Sequence, residues 1–342
     1  MTGGSDMSRW LHVLTPGSDL PVSRLAASTL ASVRLRAAVA VQALAAQGWQ
    51  LSAGDRIAPQ ATDVLIGKIG SSDIAQRAPF WLMQLQALHS AGAQLWLDYT
   101  DHHLGFDSPM QGFYRAVLPL VTTVVVPSEA MQQQLEQVWK GAIAVVVDAL
   151  DVPIRAPKPR RETARQTALW FGHASNVRYL LGFLLQNPGL ADQLQVLALS
   201  NPPGIDILAA GYRSGPIALH CLPWSAQATV TAAGVADLAL IPSDVNDARK
   251  SGVSANRLVT ALALGLPVAA DVLPAYAPHR RYFSDIRSEG LHALLRDDDA
   301  RCQRVAEAQK TLVPRYMPAV VGREWLAMLS GFAPAQRTAI RM

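Results

Sequence analysis

The chain has 342 residues, half of them hydrophobic and 16% charged, with a net charge of +4; this excludes a disordered polymer and leaves room for two cores of about 150 residues each. So mild a positive charge, without a basic stripe interleaved with aromatics, argues against nucleic acid as a partner and suits a ligand carrying a few phosphates. Cys221 and Cys302 show no paired spacing, which disfavours a disulfide framework or a zinc site. The opening MTGGSDMSRWLHVLT lacks the basic start and long apolar core of a signal peptide, and no apolar run reaches the roughly 18 residues of a membrane span. The expectation is a soluble, cytoplasmic protein, with peripheral contact at the inner membrane surface left open.

In chain order, the first half offers strands at WLHVLT (10–15), DVLIGK (63–68), AQLWLDY (93–99), TTVVVP (122–127) and AIAVVV (142–147). Helical patterns lie between them at 31–48, 78–92 and 128–141, with Ser128 a start signal and Gly141 a stop signal for the last. Continuous apolar strands separated by helices predict a parallel sheet covered on both faces. The composition then shifts at DVPIRAPKPRRETAR (151–165), which reads as a solvated interdomain linker. The rhythm restarts at TALWFG (167–172), LQVLALS (194–200), PIALHCLP (216–223), ADLALIP (236–242) and LPVAAD (266–271). The predicted fold is therefore α/β, with two doubly wound Rossmann-like domains, residues 1–150 and 167–318, facing a central cleft. A linker at 151–166 joins them, and a helix within 319–342 is free to cross back to the first domain.

Ligands of such sheets sit beyond the carboxyl ends of the strands. After the first strand come Gly17 and Arg24, and after DVLIGK come Lys68 and Gly70. LDYTDHHLGFDSP (97–109) is the densest polar cluster of this half. Asp98, Asp101, His102 and His103 there offer a general base or a group that orients a hydroxyl, or, equally simply, caps for the turn backbone. Adjacent histidines bind one ion together poorly, so no metal site is expected. In the second half, WFGHASN (170–176) combines Gly172, where a ligand can approach the backbone closely, with His173 and with Ser175 or Asn176 as helix caps. It has neither the GxGxxG of a dinucleotide site nor the GxxxxGK of a P-loop. KSGVSANRLVTALALGLPVAAD (250–271) starts a helix between two cations, Lys250 and Arg257. The leading amides and dipole of a helix favour phosphate. His220 and Cys221 fall in an apolar strand and are expected in the core, as are Trp81, Trp96, Trp139 and Trp325; Trp224 follows a strand end, and Arg280 and Arg281 are expected to be solvated.

WFGHASN, ADLALIPSD (236–244) and above all KSGVSANRLVTALALGLPVAAD resemble the donor-binding half of GT-B fold glycosyltransferases, in particular the retaining nucleotide-sugar enzymes of the family 4-like and family 1-like bacterial polysaccharide groups. TALALGLPV (260–268) fits their helix–Gly–x–Pro–Val frame, LWLDYTDHH their histidine-bearing strand end, and VVVPSEAM the close of their first domain. The resemblance implies metal-independent transfer of a sugar from a nucleotide-diphosphate sugar, with no cofactor beyond that co-substrate, to a glycan or glycolipid in surface polysaccharide synthesis. It places Gly172, His173, Ser175, Asn176, Lys250, Ser254, Ala255, Asn256, Arg257 and Thr260 around the donor nucleotide and diphosphate. Asp101, His102 and Asp98 become the catalytic candidates, and Gly17, Arg24, Lys68 and His103 fall on the acceptor side. The family's two glutamates, eight residues apart, fall here on Gly252 and Thr260, so ribose and sugar recognition passes to Asp244, Asn246 or Asp247. A degenerate binder of sugar nucleotides and a nucleotide-sugar epimerase are the alternatives; a nicotinamide oxidoreductase loses support with the missing glycine fingerprint.

Overall fold

The computed structural model describes residues 9–16, 20–70, 73–287, 289–296 and 298–331. The chain divides into two compact units, Met1–Ala149 with Gly252–Ser254 and Met317–Met342, and Leu150–Ser251 with Ala255–Tyr316.

The first unit holds six parallel strands: β1 (Trp10–Leu14), β2 (Gln50–Gly54), β3 (Asp63–Ile66), β4 (Gln94–Asp98), β5 (Thr123–Val126) and β6 (Ile143–Val145). Their order is β2-β1-β3-β4-β5-β6, so the sheet grows outward from β1 in both directions. Successive side chains of a strand point to opposite faces, and both faces are apolar here. Leu14, Val64, Ile66, Leu95 and Val124 meet Trp81 and Leu85 of the Ile74–Ser90 helix on one side. Leu11, Val13, Leu65, Trp96 and Val125 meet Val41 and Leu44 of the Ala38–Ala45 helix, with Trp325 and Leu329, on the other. The Pro318–Leu329 helix thereby closes the second face of this sheet. The 31–48 pattern is not one continuous α-helix: Val33–Ala37 winds in π geometry before the α-helical Ala38–Ala45. The helix after β5 starts where Ser128 Oγ accepts the Met131 amide at 3.1 Å, yet ends at Glu136, short of Gly141.

The second unit repeats the plan with β7 (Gln166–Phe171), β8 (Leu194–Ser200), β9 (Ala218–Pro223), β10 (Leu238–Ile241), β11 (Val268–Ala270) and β12 (Ser284–Asp285). The order is β12-β11-β10-β7-β8-β9, all pairs parallel. Ala168, Trp170, Val196, Ala198 and Leu240 share a core with Val177, Leu180 and Leu184 of the Val177–Gln186 helix. β9 lies at the edge, which corrects the expectation for its residues: His220 is exposed and Cys221 only half-buried.

The basic stretch 151–165 is mostly exposed, yet several of its cations are bonded to the second unit. Lys158 Nζ donates to the Gly234 and Ala236 carbonyls at 2.6 and 3.1 Å and also to that of Ala233, so it caps the carbonyl end of the Ala226–Val235 helix. Arg161 pairs with the buried Asp237, and the Arg155 and Lys158 amides donate to Ala263 and Gly265 at 2.8 and 3.0 Å. Gly265 accounts for the glycine of TALALGLPV. Its φ of +81° ends the Asn256–Ala263 helix, and a Cβ there would stand 2.2 Å from the Ala156 carbonyl oxygen.

Candidate functional site

Open α/β sheets bind ligands beyond the carboxyl ends of their strands, where the strand order reverses. In the second sheet that point lies between β7 and β10. The loop after β7 is WFGHASN; the loop after β10 runs through 242–255 into the Asn256–Ala263 helix.

The loop after β7 is held by bonds within itself and to the end of β8. Gly172 N continues the ladder to Leu199 O at 3.0 Å, and its carbonyl accepts the buried Ser200 hydroxyl at 2.8 Å. His173 is extended and caps the turn: its Nδ1 accepts the Ser175 amide at 3.3 Å, and its carbonyl accepts the Asn176 amide at 2.8 Å. The Ala174 amide donates to Asn201 Oδ1 at 2.8 Å. The caps are therefore His173 and Asn201. Asn176 stands at the start of the Val177–Gln186 helix without capping it, because its side chain faces Lys250 instead. Asn201, absent from the sequence reading, follows directly on the LQVLALS strand and occupies a position where asparagine is a common cap.

The loop after β10 brings the cations. Lys250 Nζ donates to Asn176 Oδ1 at 2.8 Å and lies 5.6 Å from the centre of the Tyr179 ring. Arg257 Nη1 is buried without a hydrogen-bond partner among the described residues, and it would lie 3.6 Å from a Cβ placed on Gly172. Burial pushes the Tyr276 phenol up, and the Arg257 guanidinium opposes that shift. Thr260 Oγ1 is also buried without a described partner. Thus Gly172, Asn176, Lys250 and Arg257, drawn from two distant segments, stand together. Ala255 occupies the position preceding the helix without a side-chain cap, and Asn256 opens the helix. Ser254 belongs with Gly252 to the short stretch that groups with the first unit.

The acidic candidates of this loop are tied up locally. Asp247 accepts from Arg178, Arg249 and the Tyr179 hydroxyl at 2.9, 2.7 and 3.0 Å. Bonds from Arg249 hold its carboxyl far below the usual carboxylate range. Asp244 Oδ1 accepts the Asn246 amide at 3.0 Å in an Asx turn, and Asn246 is exposed. Asp271, at the end of β11, fixes the start of the loop by accepting the Ser243 amide at 2.7 Å and Arg287 Nε at 2.6 Å.

In the first sheet the order reverses between β1 and β3. Gly17 lies outside the described residues. Arg24 is exposed on the short Val22–Ala27 helix, and Lys68, just past β3, forms an ion pair with Asp101. Asp98 is a correction. It is 1% exposed, accepts Arg36 Nε at 2.7 Å, and shares Arg36 with Asp148 at 3.0 Å. Its carboxylate is thus part of the sheet's interior rather than a surface that meets an acceptor. Burial pushes it up to about 6 despite the guanidinium.

The two histidines have different surroundings. His103 stacks on Tyr114 with ring centres 5.4 Å apart, and its Nδ1 bonds Ser108 Oγ at 2.9 Å. His102 lies against Gly105, where a Cβ would meet the imidazole at 2.2 Å. The Tyr99 hydroxyl accepts the Leu104 amide at 2.9 Å and reaches His102 Nδ1 at 3.3 Å. The Tyr99 hydroxyl thus ties Nδ1 of His102 to the loop backbone at Leu104. Burial lowers the pKa of His102, which keeps the ring neutral near pH 7. Among the described residues no cluster of three His, Cys, Asp or Glu is placed to hold a metal ion, and no helix is long and apolar enough to cross a membrane.

No protein-family model matches the chain, and no curated protein matches it at a significant level. Solved structures do. An alpha-glucosyltransferase solved with UDP-glucose and DNA containing an abasic site aligns over 94% of this chain and 99% of its own, with a TM-score of 0.63 at 7% identity. AviGT4, a glycosyltransferase involved in avilamycin A biosynthesis, covers 94% and 98%, with a TM-score of 0.52 at 11% identity. TarM covers 78% of this chain with a TM-score of 0.58 at 12% identity, and the chain spans only 54% of TarM's length and 57% of the GtfA/B complex chain. Together with two parallel six-stranded sheets, these likenesses show that the chain has the GT-B fold of the glycosyltransferases.

Proposed function

We propose that the protein is a glycosyltransferase that uses a nucleotide-diphosphate sugar, with the second unit holding the donor. The observation that carries this reading is the convergence of Lys250 and Arg257 on the loop after β7, at the reversal point of the second sheet. When the sugar–phosphate bond breaks, charge grows on the departing diphosphate. Fixed cations aimed at that charge lower the barrier, and losing one such donor typically costs about 3 kcal/mol. Because the loop amides of 172–176 are largely satisfied internally, the side-chain cations and the start of the Asn256–Ala263 helix supply the anion contacts. Thr260 offers its unpartnered hydroxyl to the ribose. The UDP and UDP-glucose named for two of the similar structures support uridine nucleotides as the first donors to try.

In the first unit, His102, held by Tyr99, and the Lys68–Asp101 pair orient the transferred sugar and the acceptor hydroxyl. The acceptor is a glycan or glycolipid of a surface polysaccharide such as lipopolysaccharide or capsule, and the transfer needs no metal. Cytoplasmic localisation, with peripheral contact at the inner membrane, belongs to the same reading. A second reading, a protein that holds the sugar nucleotide without transferring it, is favoured by one observation: Gly252 and Thr260 carry no carboxylate, and Asp247 is committed to Arg178 and Arg249.

The test is release of nucleoside diphosphate from a panel of nucleotide sugars, with and without oligosaccharide acceptors, by the wild type and by Lys250→Ala and Arg257→Ala. Acceptor-dependent release that falls about a hundredfold in either variant supports transfer. Binding without release supports the holding protein. Release that is unchanged in both variants overturns the assignment.

A further inference from the structure

The second unit carries another concentration of cations that the donor site does not use. Arg280 and Arg281 end the Ala277–Tyr282 helix, and Arg304 comes from the Asp298–Thr311 helix. With Phe283, Ser284 and Asp285 they border a concavity of about 300 Å³ beside the edge strand β12. None of these residues belongs to the loops after β7 and β10.

Three features distinguish this concavity from a patch of solvated arginines. First, each guanidinium is anchored. Arg280 Nη1 donates to Phe283 O at 2.8 Å, Arg304 Nη1 donates to the buried Ser284 hydroxyl at 2.7 Å, and Arg281 Nη2 donates to the Tyr282 hydroxyl. The Tyr282 hydroxyl is fixed in turn by Thr311 at 2.7 Å. Second, each shows one such bond while a guanidinium has five donors, so most of the donors remain available. Third, the charge is not balanced within the fold. None of the three forms an ion pair with a described carboxylate. The one carboxylate in the lining, Asp285, accepts the Arg287 amide at 2.9 Å. Three guanidiniums against one carboxylate leave the lining net positive, which favours an incoming anion.

We propose that this concavity binds a multiply charged oxyanion, a phosphate ester or a diphosphate. Anchored, planar guanidiniums match the oxygens of phosphate in paired hydrogen bonds. A volume near 300 Å³ lies at the small end of ligand sites and suits a phosphorylated small molecule or the head of a phospholipid.

The experiment titrates the full chain with inorganic pyrophosphate by calorimetry, at matched ionic strength. Wild type is compared with Arg281→Ala, Arg304→Ala, the exposed neighbour Arg296→Ala, and a Lys250→Ala/Arg257→Ala double variant that removes the donor-loop cations. The expected result is binding that persists in the donor-loop double variant and in Arg296→Ala but weakens about tenfold or more in Arg281→Ala and Arg304→Ala. It should also weaken steeply with salt. Sedimentation with phosphatidylglycerol–phosphatidylcholine vesicles, against phosphatidylcholine alone, separates the sources. Vesicle capture lost in Arg281→Ala and Arg304→Ala, without pyrophosphate binding, assigns a lipid headgroup. Binding in neither arm, or binding that vanishes only in the donor-loop double variant, overturns the proposal; the latter result would leave the donor assignment intact.

Discussion

Replacing Arg36 by methionine tests whether Asp98 is structural. Arg36 is 0% exposed, bonds Asp98 at 2.7 Å, and donates to the Val146 carbonyl at 2.6 Å and to Asp148 at 3.0 Å. Methionine keeps most of the apolar volume but leaves Asp98 buried without a counter-charge. The side chain of Asp148, 12% exposed, regains some water, whereas that of Asp98, at 2%, does not. Breaking a buried pair in this way costs about 3–5 kcal/mol. With a urea slope of about 2 kcal/mol per molar, the midpoint of the first unit's transition should fall by about 1.5–2.5 M. The pH dependence gives a second signature. Burial already holds Asp98 at about 6 with Arg36 present, and losing the guanidinium raises it further, so protonation favours the folded variant and the deficit should grow as pH rises above about 6 toward 8. Arg36→Met/Asp98→Leu removes both charges and should recover at least half of the loss. A midpoint for Arg36→Met within about 0.3 M of wild type, independent of pH, would refute the structural assignment of Asp98.

Other perturbations read the remaining parts of the account. Asn201→Ala removes the acceptor of the Ala174 amide and should cost about 1 kcal/mol, with a smaller thermal shift on adding UDP. Gly172→Ala places a Cβ 2.9 Å from the buried Trp170 ring and 3.6 Å from Arg257 Nη1. Overpacking of about 1–3 kcal/mol should lower Tm by several degrees and weaken nucleotide binding together. His279 is held down to about 4, chiefly by burial and also by Arg315. A folded-state pKa depressed below the unfolded value of a histidine gives stability that is present above about pH 6.5 and lost as pH falls toward 4. His279→Gln should flatten Tm across that window.

The alternation of apolar strands and helices was legible because each strand of a sheet covered on both faces is a continuous apolar run. β2 was not, since QLSAG sits at an edge with small and polar residues, and β12 is only two residues long. The positions of Gly172 at a strand end and of Lys250 and Arg257 around a helix start could be read from local pattern alone. What those residues touch could not: Lys250 meets Asn176 across 74 positions, and Arg36 meets Asp98 across 62. Within the mostly exposed stretch 154–166 the pattern likewise did not show that Lys158 binds three carbonyls at the end of a helix more than 70 positions away. In each case the deciding partner is distant in sequence, where composition and periodicity carry no information.

In the proposed function, Lys250 and Arg257 form one anion site with the loop after β7. The direct measurement is calorimetric titration of UDP into the wild type and into Lys250→Ala and Arg257→Ala, with uridine as a ligand lacking phosphate. UDP is expected to bind far more tightly than uridine, and each substitution to remove most of that difference while leaving uridine binding unchanged. Equal affinities for UDP and uridine, or a UDP affinity untouched by both substitutions, would contradict it.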